Sequence, residues 1–226
     1  GATAVICTIG VGGRRAWEQD VFIPRKYGIF QPVGDTVMPG GTSRAMRMIP
    51  VMIAVAKDVL ELCPEALFFN YSNPMAAICR AVRKYTPARM VGLCHGVTEA
   101  AHFLAQMLEV PFAELEYTAL GLNHLTWITH VHRGGTDLTS RLFDTCRSRL
   151  AAPMAEGALG ELFLARGSWE ALPGEEPPRH PATLELTMKF GAFPAPMDRH
   201  ITEFFPFMFS REHGYYGRTL GTEAFS

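Results

Sequence analysis

The stretch ALFFNYSNPMAAICRAVRKYTPARMVGLCHGVTEAAHFL, residues 66–104, sets the architecture of this chain. It opens on a short apolar run, ALFFNYS, and Asn73-Pro74 then offers an N-cap followed by proline at the first helical position. The helical MAAICRAVRKYT follows, then a second apolar run, MVGLC, and a second helical pattern from Thr98, TEAAHFLAQMLEV. Strands alternating with helices of ten or more residues specify βαβ units and a parallel sheet.

Upstream the same grammar continues. ATAVICTIGV (2–11) is almost wholly apolar, as expected of a strand covered on both faces. A polar stretch punctuated by glycine and proline occupies 12–41. Between Ser43 and Leu62, the residues Met46, Ile49, Ile53, Ala56, Val59 and Leu60 fall on one helical face. Ser43 is the cap expected there and Cys63-Pro64 the stop, while Pro50 is a place for a kink. Downstream, LEYTALGLN (115–123) reads as a strand and WITHVHRGGTDL (127–138) as a hairpin turning on Gly-Gly. A helix is expected over 137–151, and 166–182, rich in proline and glycine, reads as an exposed connection. The aromatic FPAPMDRHITEFFPFMF (193–209) belongs to a second, substrate-covering region. The expected fold class is therefore α/β: a Rossmann-like parallel sheet over 1–125 and a partial α+β domain over 126–226.

Composition excludes several functions. With 48% hydrophobic and 19% charged residues, the 226-residue chain is globular. A net charge of −1 gives no electrostatic case for nucleic acid or an anionic membrane, and no apolar window is long enough to span a bilayer. Cysteines at 7, 63, 79, 94 and 146, odd in number and without CxxC spacing, indicate reduced thiols in a cytoplasmic protein. The chain begins inside an apolar run, so it is expected to be a piece of a longer protein.

In parallel sheets, ligand-binding groups gather at the carboxyl ends of strands. Asn70 and Asn73, Cys94 and His95, and Asn123 and His124 all sit at such ends. A thiolate from Cys94 and an imidazole from His124 could hold a divalent transition ion and leave positions open for substrate oxygens. His95 suits a substrate contact, and Asn73 offers both donor and acceptor to sugar hydroxyls. Structural readings compete at each position. Cys94 could be a core thiol, Asn73 a helix cap, Asp35 a turn residue, and Arg14 and Arg15 solvated. Asp198, Arg199 and His200 could form a surface charge cluster. His130 and His132 share a strand face, either as a metal pair or as a half-exposed hairpin surface.

Taken together, IGVGGRRAWEQDVFIPRKYGIFQPVGDTVMPGG (9–41), FFNYSNPM (68–75), VGLCHGV (91–97) and GLNHLTWI (121–128) resemble the family 4 glycoside hydrolases, the NAD- and manganese-dependent glycosidases. GAFPAPMDRHITEFFPFMF (191–209) resembles a later active-site segment of that family. The RRAW and PMDRH wording is nearer to the α-galacturonidases, and KYG…VGDT…PGG is shared with the α-galactosidases. The resemblance implies Cys94 and His124 as ligands of Mn2+, Asn73 as a contact to the sugar and the nicotinamide, Asn70 beside the cofactor, and His95 as a substrate contact. It gives Asp198 the role of base. For a uronide, Arg14, Arg15, Arg44 and Arg199 are candidate carboxylate partners, since guanidinium binds carboxylate in a bidentate fork.

The chemistry implied is oxidation at sugar C3 by NAD, deprotonation at C2, elimination of the glycosidic oxygen, addition of water, and return of the hydride. The resemblance also implies a homo-oligomer acting on a small carbohydrate, with no nucleic acid or membrane partner. Two other readings are a lactate/malate-type 2-hydroxy-acid dehydrogenase and an inactive binding remnant. The family's dinucleotide loop is not matched, because GVGG at 10–13 is not GxGxxG and follows a later strand. This piece is therefore expected to bind NAD poorly on its own.

Overall fold

A computed structural model describes residues 1–151 and 180–208, and the chain divides into two compact units, Gly1–Cys94 and His95–Ser226. Most of the expected connection at 166–182 lies outside the described residues.

In the first unit three strands, β1 (Ala4–Cys7), β2 (Leu67–Asn70) and β3 (Met90–Gly92), pair in parallel in that order. The register aligns Cys7 with Asn70 and Asn70 with Gly92, so the three strands end together. Helices α1 (Gly13–Lys26), α2 (Met38–Leu62) and α3 (Met75–Tyr85) complete the unit. Period-2 alternation turns Cys7, Phe68 and Met90 inward, where Met48, Met52 and Ala56 of α2 and Ile78 and Val82 of α3 close a core. The opposite face differs from the expectation of a sheet covered on both sides: Ile6, Leu67 and Val91 are exposed.

The helices depart from the sequence reading in instructive ways. Residues 13–26, read as part of a polar stretch, form α1, because Val21 and Asp20 are buried and Arg47 of α2 makes a two-pronged ion pair with Asp20 (2.9 and 2.5 Å). Helix α2 starts at Met38, five residues before Ser43, and runs through Pro50 without a break. Its start is fixed from a distance. Buried Gln31 accepts from the Gly40 N–H and donates to the Val37 carbonyl, both at 2.9 Å, and so replaces a local cap. The N-cap of α3 is Pro74 rather than Asn73, whose side chain is used elsewhere.

The second unit holds α4 (Gly96–Met107), the antiparallel strands β4 (Glu116–Leu122), β5 (Leu125–Arg133) and β6 (Thr136–Asp137), α5 (Thr139–Ala151), α6 (Pro181–Phe190) and β7 (Phe193–Ala195). Gly134 and Gly135, at φ 54° and 78°, make the expected two-residue hairpin turn. Strand β5 is the hub: β4 lies on one edge, and β6 and β7 pair with it as well. Thr118 pairs with His130 but Ala119 with Ile128, so Thr129 is an extra residue, a bulge. That bulge resets the alternation. Ile128 and Val131 both face the core with Leu104, Leu142, Leu184 and Phe193, while His130 and His132 face outward. In the aromatic tail, Phe205 lies against Trp127 and Phe190.

Candidate active site

At the carboxyl ends of the parallel strands the backbone turns are locked by side chains. Asn70, wholly buried, donates from Nδ2 to the Ser72 carbonyl and accepts from the Ser72 N–H, both at 3.0 Å. The Ser72 hydroxyl donates to the Ile9 carbonyl at 2.7 Å, which ties the segment after β2 to the segment after β1. This is a self-closing asparagine turn, the local option that competes with helix capping. Asn70 therefore shapes the rim of the strand ends.

Asn73 comes next, and its amide reaches across to the loop before α2. Nδ2 donates to Asp35 Oδ2 at 2.7 Å, and the Asn73 carbonyl accepts from Arg44 Nε at 3.1 Å. The second Asp35 oxygen accepts from the Thr36 hydroxyl at 2.7 Å. Asp35 is buried, so the VGDT segment supplies a desolvated carboxylate to the site instead of a surface turn. The Arg44 guanidinium also lies 3.7 Å from where a Cβ on Gly10 would stand, so it bridges the segments after β1 and β2. Arg14, by contrast, is exposed and pairs with Glu18 one helical turn on, at 2.7 Å. Cys94 is exposed just beyond β3. It differs from Cys146, a core thiol whose titration burial pushes up to about 12.

In the second unit, His95 is the N-cap residue of α4, exposed, with Nε2 3.3 Å from Glu99 Oε1. His124 is its opposite in every respect. It is 3% exposed and occupies the two-residue turn between β4 and β5 at φ 63°, a left-handed conformation that costs a histidine free energy. Gly121 at φ 144° makes room for that turn, since a Cβ there would stand 2.3 Å from the Leu125 carbonyl oxygen. The His124 ring lies against that of His200, with centroids 3.8 Å apart and ring nitrogens within 4.8 Å. Asn123, the other residue of the turn, has its Oδ1 buried without a hydrogen-bond partner.

The approach of His200 was not legible as a ligand, because 76 residues separate it from His124 and the local sequence DRH suggests only surface charge. The pairing of β7 with Thr126–Ile128 of β5 carries the chain back to the base of the β4–β5 turn. The one-turn helix Asp198–Ile201 then sets His200 over it. Asp198 holds this helix in place: it is 2% exposed, and its carboxylate accepts from Thr183 N (2.7 Å), Thr183 Oγ1 (2.6 Å) and Ala182 N (3.3 Å) at the start of α6. Arg199, between them, is exposed.

The His124 and His200 imidazoles, one buried and one half-buried, offer ring nitrogens within 4.8 Å of each other, a pair suited to a borderline divalent ion. In the first unit β1 leads through Gly10–Gly13 into the N-terminus of α1, whose first turn carries no acidic residue. That arrangement is compatible with an anionic group. Among the described residues, no helix is long and apolar enough to cross a membrane.

Residues 1–110 match the family 4 glycosyl hydrolase description, and 119–224 match the family 4 glycosyl hydrolase C-terminal domain. An α-galactosidase from Bacillus subtilis is 42% identical over 135 residues, 59% of this chain and 31% of its own. An α-galacturonidase from Thermoanaerobacterium saccharolyticum is 33% identical over 214 residues, 91% of this chain and 44% of its own. The crystal structure of lplD from Bacillus subtilis superposes with a TM-score of 0.74 at 32% identity, covering 90% of this chain and 46% of that one. A 6-phospho-β-glucosidase from Thermotoga maritima, solved with manganese, NAD+ and glucose-6-phosphate, gives 0.56 at 29% identity over 65% of this chain and 37% of that one. The chain thus spans less than half the length of these relatives.

Proposed function

Since this chain belongs to the family 4 glycosyl hydrolases, we propose that the protein cleaves an α-galacturonide by a redox-assisted elimination that uses NAD and Mn2+. The observation that carries the reading is the buried His124, held in a left-handed turn with its ring on His200. Strain of this kind, at a residue with a ligating nitrogen, marks a site kept for chemistry.

When bound, NAD supplies reversible hydride acceptance at sugar C3, and manganese supplies polarisation of the oxygens on C2 and C3. Cys94 and His124 are assigned as the manganese ligands, as the family motifs imply, with His200 backing the His124 ring. Asn73 presents its amide to the sugar and the nicotinamide while Asp35 fixes its orientation. Asn70 shapes the cofactor side of the same rim through its turn with Ser72. Asp198 is assigned as the base for the C2 proton, and His95, exposed at the start of α4, as a contact to substrate hydroxyls. Residues 1–125 form the cofactor side and 126–226 the substrate side. The uronate carboxylate is assigned to arginine: Arg44 already touches Asn73, while Arg14 and Arg199 stand exposed as further partners. The protein acts as a cytoplasmic homo-oligomer on this reading.

A neutral α-galactoside is the second reading, favoured by the higher identity to the α-galactosidase over the first 135 or so residues. Support for the galacturonide comes from the match that runs through both units.

The test is to offer the whole protein aryl α-galacturonide and aryl α-galactoside, with and without NAD, manganese and a thiol reductant, in deuterated water. Release of the aryl group that requires both cofactors, with deuterium at C2 of the product, is the expected result. Turnover without either cofactor overturns the mechanism, and a preference for the neutral sugar overturns the substrate.

A further inference from the structure

The outer face of β5 carries chemistry that the proposed glycosidase does not use. The bulge at Thr129 places His130 and His132 on the same, solvent-facing side of the strand, with ring centroids 6.4 Å apart and planes within 8° of parallel. His132 sits in the middle of a three-strand row: Glu116 of β4 is its partner on one side and Asp137 of β6 on the other. The Leu138 N–H to Val131 carbonyl bond next to it (2.9 Å) makes His132 and Asp137 a non-hydrogen-bonded pair, the closer of the two antiparallel spacings.

Directly opposed residues share a face, so two imidazoles and two carboxylates project from one patch. The Thr129 hydroxyl lies 2.9 Å from His130 Nδ1, which occupies that nitrogen and leaves Nε2 as the one to ligate. Glu116 Oε1 accepts from the Gly134 N–H (3.1 Å), and Asp137 Oδ1 accepts from the Thr139 N–H (2.8 Å). Both carboxylates are thereby anchored against the hairpin. The Asp137 carboxyl titrates below its ordinary value, chiefly through its hydrogen bonds with Thr139 and further through the nearby imidazoles of His132 and His130.

We infer that His130 and His132, with Asp137 or Glu116 as third ligand, form a second cation site on the outer face of β5, selective for Zn2+, Co2+, Ni2+ or Cu2+ over Mg2+ and Ca2+. Imidazole nitrogens with one or two carboxylate oxygens suit these borderline ions, whereas hard cations need an oxygen cage. Ligation requires the two ring nitrogens to converge to within about 2.1 Å of one ion. Two histidines two apart on a strand reach that geometry by side-chain rotation alone, because their stems already point the same way. An ion held there ties β4, β5 and β6 at the end of the sheet farthest from the His124 turn.

Equilibrium dialysis against Co2+, read by its visible absorption and by metal analysis, tests the site independently of the proposed active centre. In the Cys94→Ser, His124→Ala double variant, one equivalent of Co2+ is expected to remain. Adding His132→Ala should abolish that equivalent, and adding His130→Ala should weaken it at least tenfold. Asp137→Asn combined with Glu116→Gln should weaken it while leaving the two histidines in place. Circular dichroism on each exposed variant keeps loss of metal apart from loss of fold, with His132→Asn as the replacement should the alanine variant not fold. Uptake that is the same with and without His132, or no uptake in the double variant, overturns the site. Activity of the glycosidase is not the readout, so failure here leaves the proposed function standing and its failure leaves this site standing.

Discussion

Asn73 Nδ2 lies 2.7 Å from Asp35 Oδ2, so the amide singled out for the sugar is aimed by a buried carboxylate 38 residues earlier in the chain. An ionised acceptor makes this bond stronger than a neutral one and dictates which way the amide faces. Asp35→Asn preserves shape but offers the Asn73 donor a neutral acceptor in one of its two orientations. A misaimed group at a reacting centre costs about 100-fold in rate. The expected outcome is a fall in kcat/KM of roughly that size with a stability loss of about 1–3 kcal/mol. Steady-state kinetics beside a denaturant titration check it, and an unchanged rate would remove Asp35 from the site.

His124 combines a strained backbone with a ring proposed as a metal ligand, and the two can be separated by substitution. Asparagine visits the left-handed region readily and is therefore the variant that keeps the turn. His124→Asn should fold, with a midpoint close to that of the parent protein. Its affinity for manganese should fall at least about 100-fold, beyond what loss of a supporting hydrogen bond does to a metal site. Titration of Mn2+ followed by electron paramagnetic resonance gives the number. Undiminished affinity would show that the ring is there for packing on His200.

The parallel sheet and its strand ends could be read from the sequence because they rest on local signals. Apolar runs of strand length, Asn-Pro and the Cys-His junction each act within a few residues. What could not be read rests on distant partners. Helix α2 begins at Met38 because Gln31 caps it, and α1 exists because Asp20 is paired with Arg47 of α2. The placement of His200 depends on β7 adding to β5, a pairing that no short window encodes. Asn73 was legible as a candidate site residue yet not as a partner of Asp35, since Asn before Pro has a sufficient local explanation as a cap.

Asp198 is asked to serve as a base while its carboxylate receives three hydrogen bonds from the start of α6. Asp198→Asn distinguishes a reacting group from a purely structural one. The amide oxygen can still accept from Thr183 while the NH2 group faces the Ala182 donor, so a loss of about 1–3 kcal/mol in stability is expected from the capping role alone. As base, the residue adds a fall in kcat of about 100- to 10,000-fold with KM little changed. Loss of stability without loss of kcat would confine Asp198 to holding the His200 helix against α6.

Acid should loosen the β5–β6 hairpin through Asp137. Its folded-state titration lies below the ordinary value of 3.8, first because of the Thr139 side-chain and backbone donors and then because of His132 and His130. A carboxylate depressed in the folded state contributes stability above its unfolded value and loses it as pH falls through the folded one. Asp137→Asn should therefore flatten the acid limb of the stability curve below about pH 4 and leave the neutral region nearly unchanged. Urea midpoints measured from pH 2 to pH 7 test this, and identical acid limbs would remove Asp137 from the balance.

Gln31 is wholly buried and satisfies both the Gly40 donor and the Val37 acceptor at the start of α2, the helix that carries Arg44 and Arg47. Gln31→Leu matches its volume and removes both bonds at once, leaving the Gly40 N–H desolvated while the Val37 carbonyl keeps the Gly41 N–H at 2.9 Å. One unsatisfied buried donor costs about 1–3 kcal/mol, so the loss should be about that size, a sizeable share of the stability of an ordinary domain. Gln31→Glu separates the two bonds: the carboxylate still accepts from Gly40 N–H but meets the Val37 carbonyl oxygen with no donor, and should be destabilised in its ionised form. Hydrogen exchange at the Gly40 amide reads the same bond directly. In Gln31→Leu its protection should collapse before that of the amides around Met52, because the helix start opens while the core-facing turns remain packed. Equal protection at both places would mean that α2 is capped by something other than Gln31.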